Sequence, residues 1–235
     1  MNRDDMDEIF SRAAQPVQSQ EDTSAQVAQV KAVILTRLRP VRPLASQAKI
    51  VALFLAVFFA LAILAASLLG LVGIHVLSPL QRGLIYGALS LIAILAAVAC
   101  AREMRPGAGV RIGALALGAA VIGFPLLASL LFSGYGTSNF AQQGIPCLVA
   151  GLAVAIPSGL LLLWVLRRGL ILSWAKAGLA AGTLAGLTGL GMLELHCPNL
   201  AAIHIIVWHG SVVASSALLG LLLGSLADAI RRHKS

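Results

Sequence analysis

Six apolar segments, each long enough to cross a lipid bilayer, constrain this chain more than any other feature of its sequence. A membrane-spanning helix needs about 20 mainly apolar residues, because the hydrocarbon core of a bilayer is about 30 Å thick. The backbone in that core has to bond internally, which favours helices. The predicted spans cover about residues 49–71, 83–101, 112–132, 145–166, 174–194 and 202–226. We therefore expect an all-α, polytopic protein whose main partner is the lipid bilayer.

Composition agrees with this class. The chain has 235 residues, of which 59% are hydrophobic and 11% charged, whereas soluble domains carry about 25% charged residues. The first 30 residues are polar and partly acidic and contain no apolar core of a cleavable signal peptide. The first span is therefore expected to serve also as the insertion signal.

Basic residues alternate between the two sides of the predicted bundle. They concentrate before the first span, in the second and fourth connections and after the sixth span, whereas the first connection has only Arg82. The third and fifth connections contain no Lys or Arg. Because cytoplasmic loops carry the excess of Lys and Arg, both termini are predicted to be cytoplasmic and Glu194–Ala201 to face the outer side. This pattern explains the net charge of +8 without direct binding of nucleic acid.

The chain divides into a cytoplasmic N-terminal segment (1–45), a six-helix transmembrane domain (46–228) and a short basic cytoplasmic tail (229–235). In the first part, apolar residues at helical spacing predict an amphipathic helix over about 21–39. Such a stripe must lie on the membrane, pack on the bundle or bind a partner. The candidate partner-binding residues are Val27, Val30, Ile34, Leu38, Arg39, Pro40, Arg42 and Pro43.

The fifth predicted span is rich in small residues. Gly178, Gly182 and Gly186 form a tandem GxxxG run, which lets helix backbones approach closely. We expect this helix to be the centre of packing, and its glycine face leaves homo-oligomerisation open.

The stretch Glu194–His209, ELHCPNLAAIHIIVWH, collects polar side chains at one end of the predicted bundle. Polar groups in or near hydrocarbon are costly, so such a cluster is a candidate functional site. On the sixth span a polar stripe is expected to face the bundle. Its residues are His204, Trp208, Ser211 and Ser215.

Cysteine and histidine on this side suit zinc and softer metal ions, but their spacing matches no signature. His204 and His209 are five residues apart, about 140° around an α-helix, so they are not expected to clamp one ion. His196 and Cys197 are adjacent and should point apart. We therefore expect His196, His204 and His209 to make structural hydrogen bonds around Trp208, with no bound cofactor.

An enzyme is not expected, because the outer side has one carboxylate, Glu194, and no nucleophile motif. The two outer cysteines, Cys147 and Cys197, leave a disulfide or a free thiol pair open. The choice depends on whether the ends of the fourth and fifth spans are adjacent. Cys100 lies towards the other side and is expected to be inert.

The order of several short motifs resembles the NrsF-type membrane anti-sigma factors (negative regulators of sigma F). These motifs extend from about residue 25 to the end of the chain. They are LRPVRPL before the first span, Cys147–Leu148, Arg167–Arg168, AGLAAGTLAGLTG and LELHCP with the downstream Trp208–His209.

The resemblance implies a bacterial inner-membrane protein whose cytoplasmic N-terminal segment holds an extracytoplasmic-function sigma factor inactive. It implies that Cys147 and Cys197 are the outer pair that responds to heavy-metal or oxidative stress. It also places residues 27–44 in the sigma-contacting region and assigns no role to the histidines. The alternative is a small transporter or metal-handling membrane protein without a transcriptional role.

Overall fold

A computed structural model of the chain describes residues 27–33, 45–105, 111–136 and 139–234. These residues form helices and connecting segments, and no strand occurs among them. Six helices are long and apolar enough to cross a membrane, as predicted, and are called the first to sixth spans. They are Gln47–Leu69, Pro79–Glu103, Ala114–Leu131, Phe140–Leu166, Trp174–His196 and Ala202–His233. The chain is therefore a multi-pass membrane protein.

The second span begins several residues earlier than predicted because its N-terminus is capped. The Ser78 hydroxyl accepts a hydrogen bond from the Gln81 amide, and the Gln81 side chain accepts one from the Ser78 amide. This capping box satisfies two backbone donors, and Pro79 suits the first helical position.

The fourth span also begins earlier than predicted, at Phe140, so Cys147 lies inside the helix and does not open it. Pro146 lies within this helix, and membrane helices tolerate proline. Asn139 precedes the helix in a left-handed conformation with φ of 56°. The ring of Phe140 packs on Trp208 with centroids 5.2 Å apart, which holds this added turn in place.

The fifth span lies at the centre of the bundle, as its glycines predicted. In its central window 89% of the residues are buried, against 50% or less in each other span. A side chain at Gly178 would collide with the backbone oxygen of Gly220, and one at Gly182 with that of Ser216. The fifth and sixth spans therefore meet backbone to backbone.

Two spans contain a π-helical turn. In the third span, the order is Arg111–Gly118, the π turn Ala119–Gly123 and Phe124–Leu131. Pro125 follows this turn, and its missing N–H and its ring account for the irregularity.

In the sixth span, a π turn over Ile205–His209 separates Ala202–His204 from Gly210–Lys234. No proline lies within this span. Its wide turn therefore has a cause other than the one in the third span.

At the opposite end of the bundle, the sixth span caps the fifth. The Asp228 carboxylate accepts hydrogen bonds from the backbone amides of Trp174 and Ala175, both at 3.0 Å. A carboxylate at a helix N-terminus also interacts favourably with the helix dipole. The two spans are thus joined along their glycines and at this end.

The N-terminal segment is a separate unit, Met1–Pro43. Residues 27–33 form a helix within the predicted range of 21–39, and Val27 and Val30 are exposed on it. The other candidate partner-binding residues lie outside the described residues, so their role stays a prediction. They are Ile34, Leu38, Arg39, Pro40, Arg42 and Pro43.

Candidate functional site

Two cysteines from different helices meet at one end of the bundle. Cys147 is in the fourth span, and Cys197 directly follows the fifth span. Their Sγ atoms are 3.7 Å apart, and both thiols are free. Cys197 is buried, and Cys147 is partly buried. The adjacency on which a disulfide or a thiol pair depends is therefore present.

The environment of Cys197 favours its protonated form. The hydrogen bond with the Cys147 thiol, followed by burial, raises the pKa of the Cys197 thiol above its usual value, while the nearby His204 and His209 act against this shift. A thiol in such surroundings reacts less readily than an exposed one, because the thiolate is the nucleophile and the metal ligand.

The backbone of Cys197 is fixed by the connection that follows the first span. In the short helix Val72–Val76, a Cβ atom at Gly73 would lie 2.7 Å from the Cys197 carbonyl oxygen. His196 bonds through Nδ1 to the Gly70 carbonyl at 2.8 Å. His196 thus makes a structural hydrogen bond, but to this connection and not around Trp208, and it is not among the four donors of the cysteine cluster.

The imidazoles of His204 and His209 lie together, although they were predicted to lie about 140° apart around an α-helix. Their ring centroids are 5.2 Å apart, edge to face. That prediction assumed an α-helix, whereas Ile205–His209 is a π turn. In a π turn the backbone bonds run from i to i+5, so residues five apart fall on one side of the helix.

His204 also reaches the cysteine pair. Its Nε2 atom lies 3.6 Å from the Cys197 Sγ atom, and the side chain is buried. Thiol and imidazole groups from three spans therefore converge.

Glu194 and His209 form a buried pair that the sequence analysis missed. His209 Nδ1 lies 2.7 Å from Glu194 Oε1, and the two side chains are 1% and 2% exposed. Because an ionised carboxylate only accepts hydrogen bonds, the Nδ1 proton belongs to His209. A buried carboxylate needs a partner. The single acid at the end of the fifth span was therefore a signal in the sequence for such a pair.

The second ring nitrogen of His209 faces the Cys197 thiol. Nε2 is buried and has no hydrogen-bond partner within the described part of the chain. One donor atom from each of Cys147, Cys197, His204 and His209 lies within 4.8 Å of all the others. The spacing of these residues in the sequence disfavoured a shared metal site, but the structure brings their four donor atoms together.

Trp208 lies beside this cluster, and the histidines are not arranged around it. Its indole packs against Phe140 and over Gly144, where a side chain would collide with it. The predicted polar stripe is also displaced, since Ser215 is exposed and Ser216 is buried in its place. The π turn adds a residue to one turn and shifts the inward face by one position.

The sequence was compared with protein-family models, with curated proteins and with solved structures. A family model described as NrsF, negative regulator of sigma F, matches residues 35–227. This range covers all six spans except the last residues of the sixth, and it includes the whole cluster. No curated protein and no solved structure matches the chain.

Proposed function

The chain belongs to the NrsF family, the negative regulators of sigma F, and from this membership we propose that it is a membrane anti-sigma factor. It holds an extracytoplasmic-function sigma factor inactive at the bacterial inner membrane. The family match, which agrees with the resemblance found in the sequence, is the observation that carries this proposal.

In this proposal the sigma factor binds the N-terminal segment on the cytoplasmic side. The distribution of Lys and Arg supports this orientation, because the basic connections lie at the end of the bundle opposite to the cysteines. The exposed valines of helix 27–33 support a docking role, since an apolar stripe in water favours a partner.

The signal enters at the other end, through Cys147 and Cys197. Their 3.7 Å separation supports a sensor, because oxidation or a heavy-metal ion would draw both sulfur atoms into one bonded unit. Such a change biases the packing of the fourth span against the end of the fifth. Release of the sigma factor follows when this packing changes.

The test of sigma binding uses the full chain. Tagged protein is purified from bacterial membranes in mild detergent, and co-purifying proteins are identified by mass spectrometry, together with a sigma-dependent reporter. We expect one sigma factor to be recovered. Val27→Asp combined with Val30→Asp should lose it and raise reporter expression, because charge on the apolar stripe opposes docking.

Gln29→Asp is the matched control, since it adds a carboxylate to the same helix away from the two valines. Recovery of no sigma factor with the unaltered chain would contradict the proposal and favour a transporter or metal-handling protein. Retention of the sigma factor by the double variant would remove the N-terminal helix as the docking site.

A further inference from the structure

We propose that Cys147, Cys197, His204 and His209 form one four-ligand site for a divalent metal ion of the zinc type, with Glu194 orienting His209. Zn²⁺ and Cd²⁺ are the ions whose chemistry fits two sulfur and two imidazole donors. The site is built from three spans and is complete within a single chain.

The distances agree with tetrahedral coordination. Zinc–sulfur bonds of about 2.3 Å place two thiolates of a tetrahedron about 3.8 Å apart, and the two Sγ atoms are 3.7 Å apart. A thiolate and an imidazole nitrogen are expected about 3.6 Å apart, and Cys197 Sγ lies 3.6 Å from His204 Nε2. With all four donors within 4.8 Å of one another, small side-chain movements would complete the site.

His209 provides a second, independent indication of a ligand. Its Nε2 atom is buried and makes no well-aligned hydrogen bond in the described residues, while the Cys197 thiol lies within interaction distance of the ring. A buried polar atom that is poorly satisfied is costly unless something binds it. Its Nδ1 atom donates to the Glu194 carboxylate at 2.7 Å. Metal-binding histidines characteristically donate their other ring nitrogen to a carboxylate, which fixes the tautomer and the ring orientation.

The proposed site gives a function to the π turn of the sixth span. Without it, residues 204 and 209 would lie about 140° apart around an α-helix. The turn Ile205–His209 brings both imidazoles to the side of the cysteines. The Ser211 hydroxyl donates to the Val207 carbonyl within this turn and accompanies the irregularity. Its position agrees with the frequent occurrence of π turns at functional sites.

The charge of the ion is matched by its sulfur ligands. A divalent ion displaces one proton from each of the two thiols, so that the ion and the two thiolates together carry no net charge. The Glu194 carboxylate remains as one negative charge, and it accepts the hydrogen bond from His209 Nδ1 that a buried carboxylate needs. Metal binding therefore releases the thiol protons to solvent.

The use of this ion as a signal rests on the proposed anti-sigma function, whereas the binding itself does not. The test therefore uses the full chain purified in detergent, reduced and freed of metal, with Co²⁺ as the spectroscopic probe. We expect one equivalent of Co²⁺ to give the visible bands of tetrahedral cobalt and a near-ultraviolet thiolate band. Added Zn²⁺ should remove both signals.

The variants separate the roles of the residues. Cys147→Ser and Cys197→Ser should each weaken the thiolate band and the affinity. His209→Gln, which lacks the ligand nitrogen, should lower affinity by at least about tenfold, as should His204→Gln. Glu194→Gln should lower affinity about 10- to 100-fold while the tetrahedral bands persist.

Cys100→Ser and His75→Ala are the matched controls, because Cys100 is buried in the second span and His75 is exposed near the same end as the site. Circular dichroism and size-exclusion chromatography check that each variant is folded. Absence of the cobalt signals in the unaltered chain would overturn the site. Equal affinity loss in His75→Ala and a well-folded His209→Gln would overturn the assignment of His209.

The two proposals fail in different ways. Stoichiometric Co²⁺ binding without any recovered sigma factor would refute the anti-sigma function and leave the site standing. Recovery of a sigma factor by a chain that binds no Co²⁺ would refute the site alone.

Discussion

At the scale of single residues, Trp208 sets the distance between two of the ligand-bearing spans. It precedes His209 in the sequence, and its indole lies on Gly144, three residues before Cys147. The absence of a side chain at position 144 is thus what lets the fourth and sixth spans approach near the site.

Gly144→Ala should push the indole away from the fourth span and separate His209 from Cys147. Overpacking of this kind costs about 1–3 kcal/mol, so we expect a lower midpoint of thermal unfolding in detergent and weaker Co²⁺ binding. Gly87→Ala is the control, because nothing lies within 4 Å of a Cβ atom at that glycine. Its effect on stability should be neutral or slightly favourable, since alanine suits a helix better. Equal unfolding midpoints for both variants would contradict this role of Gly144.

The sequence predicted some of the site residues and missed others for physical reasons. Cys147 and Cys197 were singled out because both lie on the predicted outer side and match the family motifs, and their sulfur atoms do lie 3.7 Å apart. Glu194 was taken as a lone acid, and its pairing with His209 depends on the fifth and sixth spans lying side by side. That contact joins residues on two helices, and the spacing within one helix carries no information about it.

At the scale of elements, the bundle was predictable and the π turn was not. Apolar length fixes the number of spans, and the glycine run of the fifth span correctly placed it at the centre. A π turn without proline has no comparable signal, since its residues Ile205–His209 are ordinary helix formers in a membrane. As a result Ser215 was predicted to face the bundle, whereas the residue that does so is the next one, Ser216.

Deletion of Val207 should convert the π turn into a regular α-helix in which the two histidines are four residues apart and still lie on one side. We expect the chain to remain folded, since the segment before residue 202 is non-helical and can absorb the shift, and to keep most of its Co²⁺ affinity. Insertion of one alanine after Val207, which puts the histidines six residues apart, should lose most of that affinity. An equal loss in the deletion and the insertion would show that the site needs the wide turn itself and not only the shared side of the helix.

At the scale of the whole bundle, the cysteine–histidine cluster and the Asp228 cap lie at opposite ends. The fifth and sixth spans connect these ends through backbone contacts at Gly178 and Gly182. Asp228 completes the connection by capping the start of the fifth span from the sixth. Movement of either helix is therefore expected to involve the other.

Asp228→Ala should remove this cap and loosen the two spans at the basic end. Loss of a capping carboxylate costs about 0.5–2 kcal/mol, so thermal stability should fall modestly while Co²⁺ affinity stays unchanged. The metal-induced response of the sigma-dependent reporter should weaken. Ser173→Ala, which removes the local cap to the Lys176 amide, is the control for a general loss of capping. An unaltered reporter response in Asp228→Ala would argue against transmission through this contact.

The burial of the fifth span has a consequence for how the protein is made. This helix has the lowest mean hydropathy of the six, 1.3 against 1.8–2.8, and it carries Glu194 at its end. A segment of this kind partitions poorly into lipid by itself, because its glycines and its carboxylate gain nothing from hydrocarbon. It becomes a stable span only when the sixth span, synthesised after it, covers its glycine face and supplies His209. We therefore expect the fifth helix to integrate fully only when the sixth span is also in the membrane, at the stage that completes the cysteine–histidine cluster.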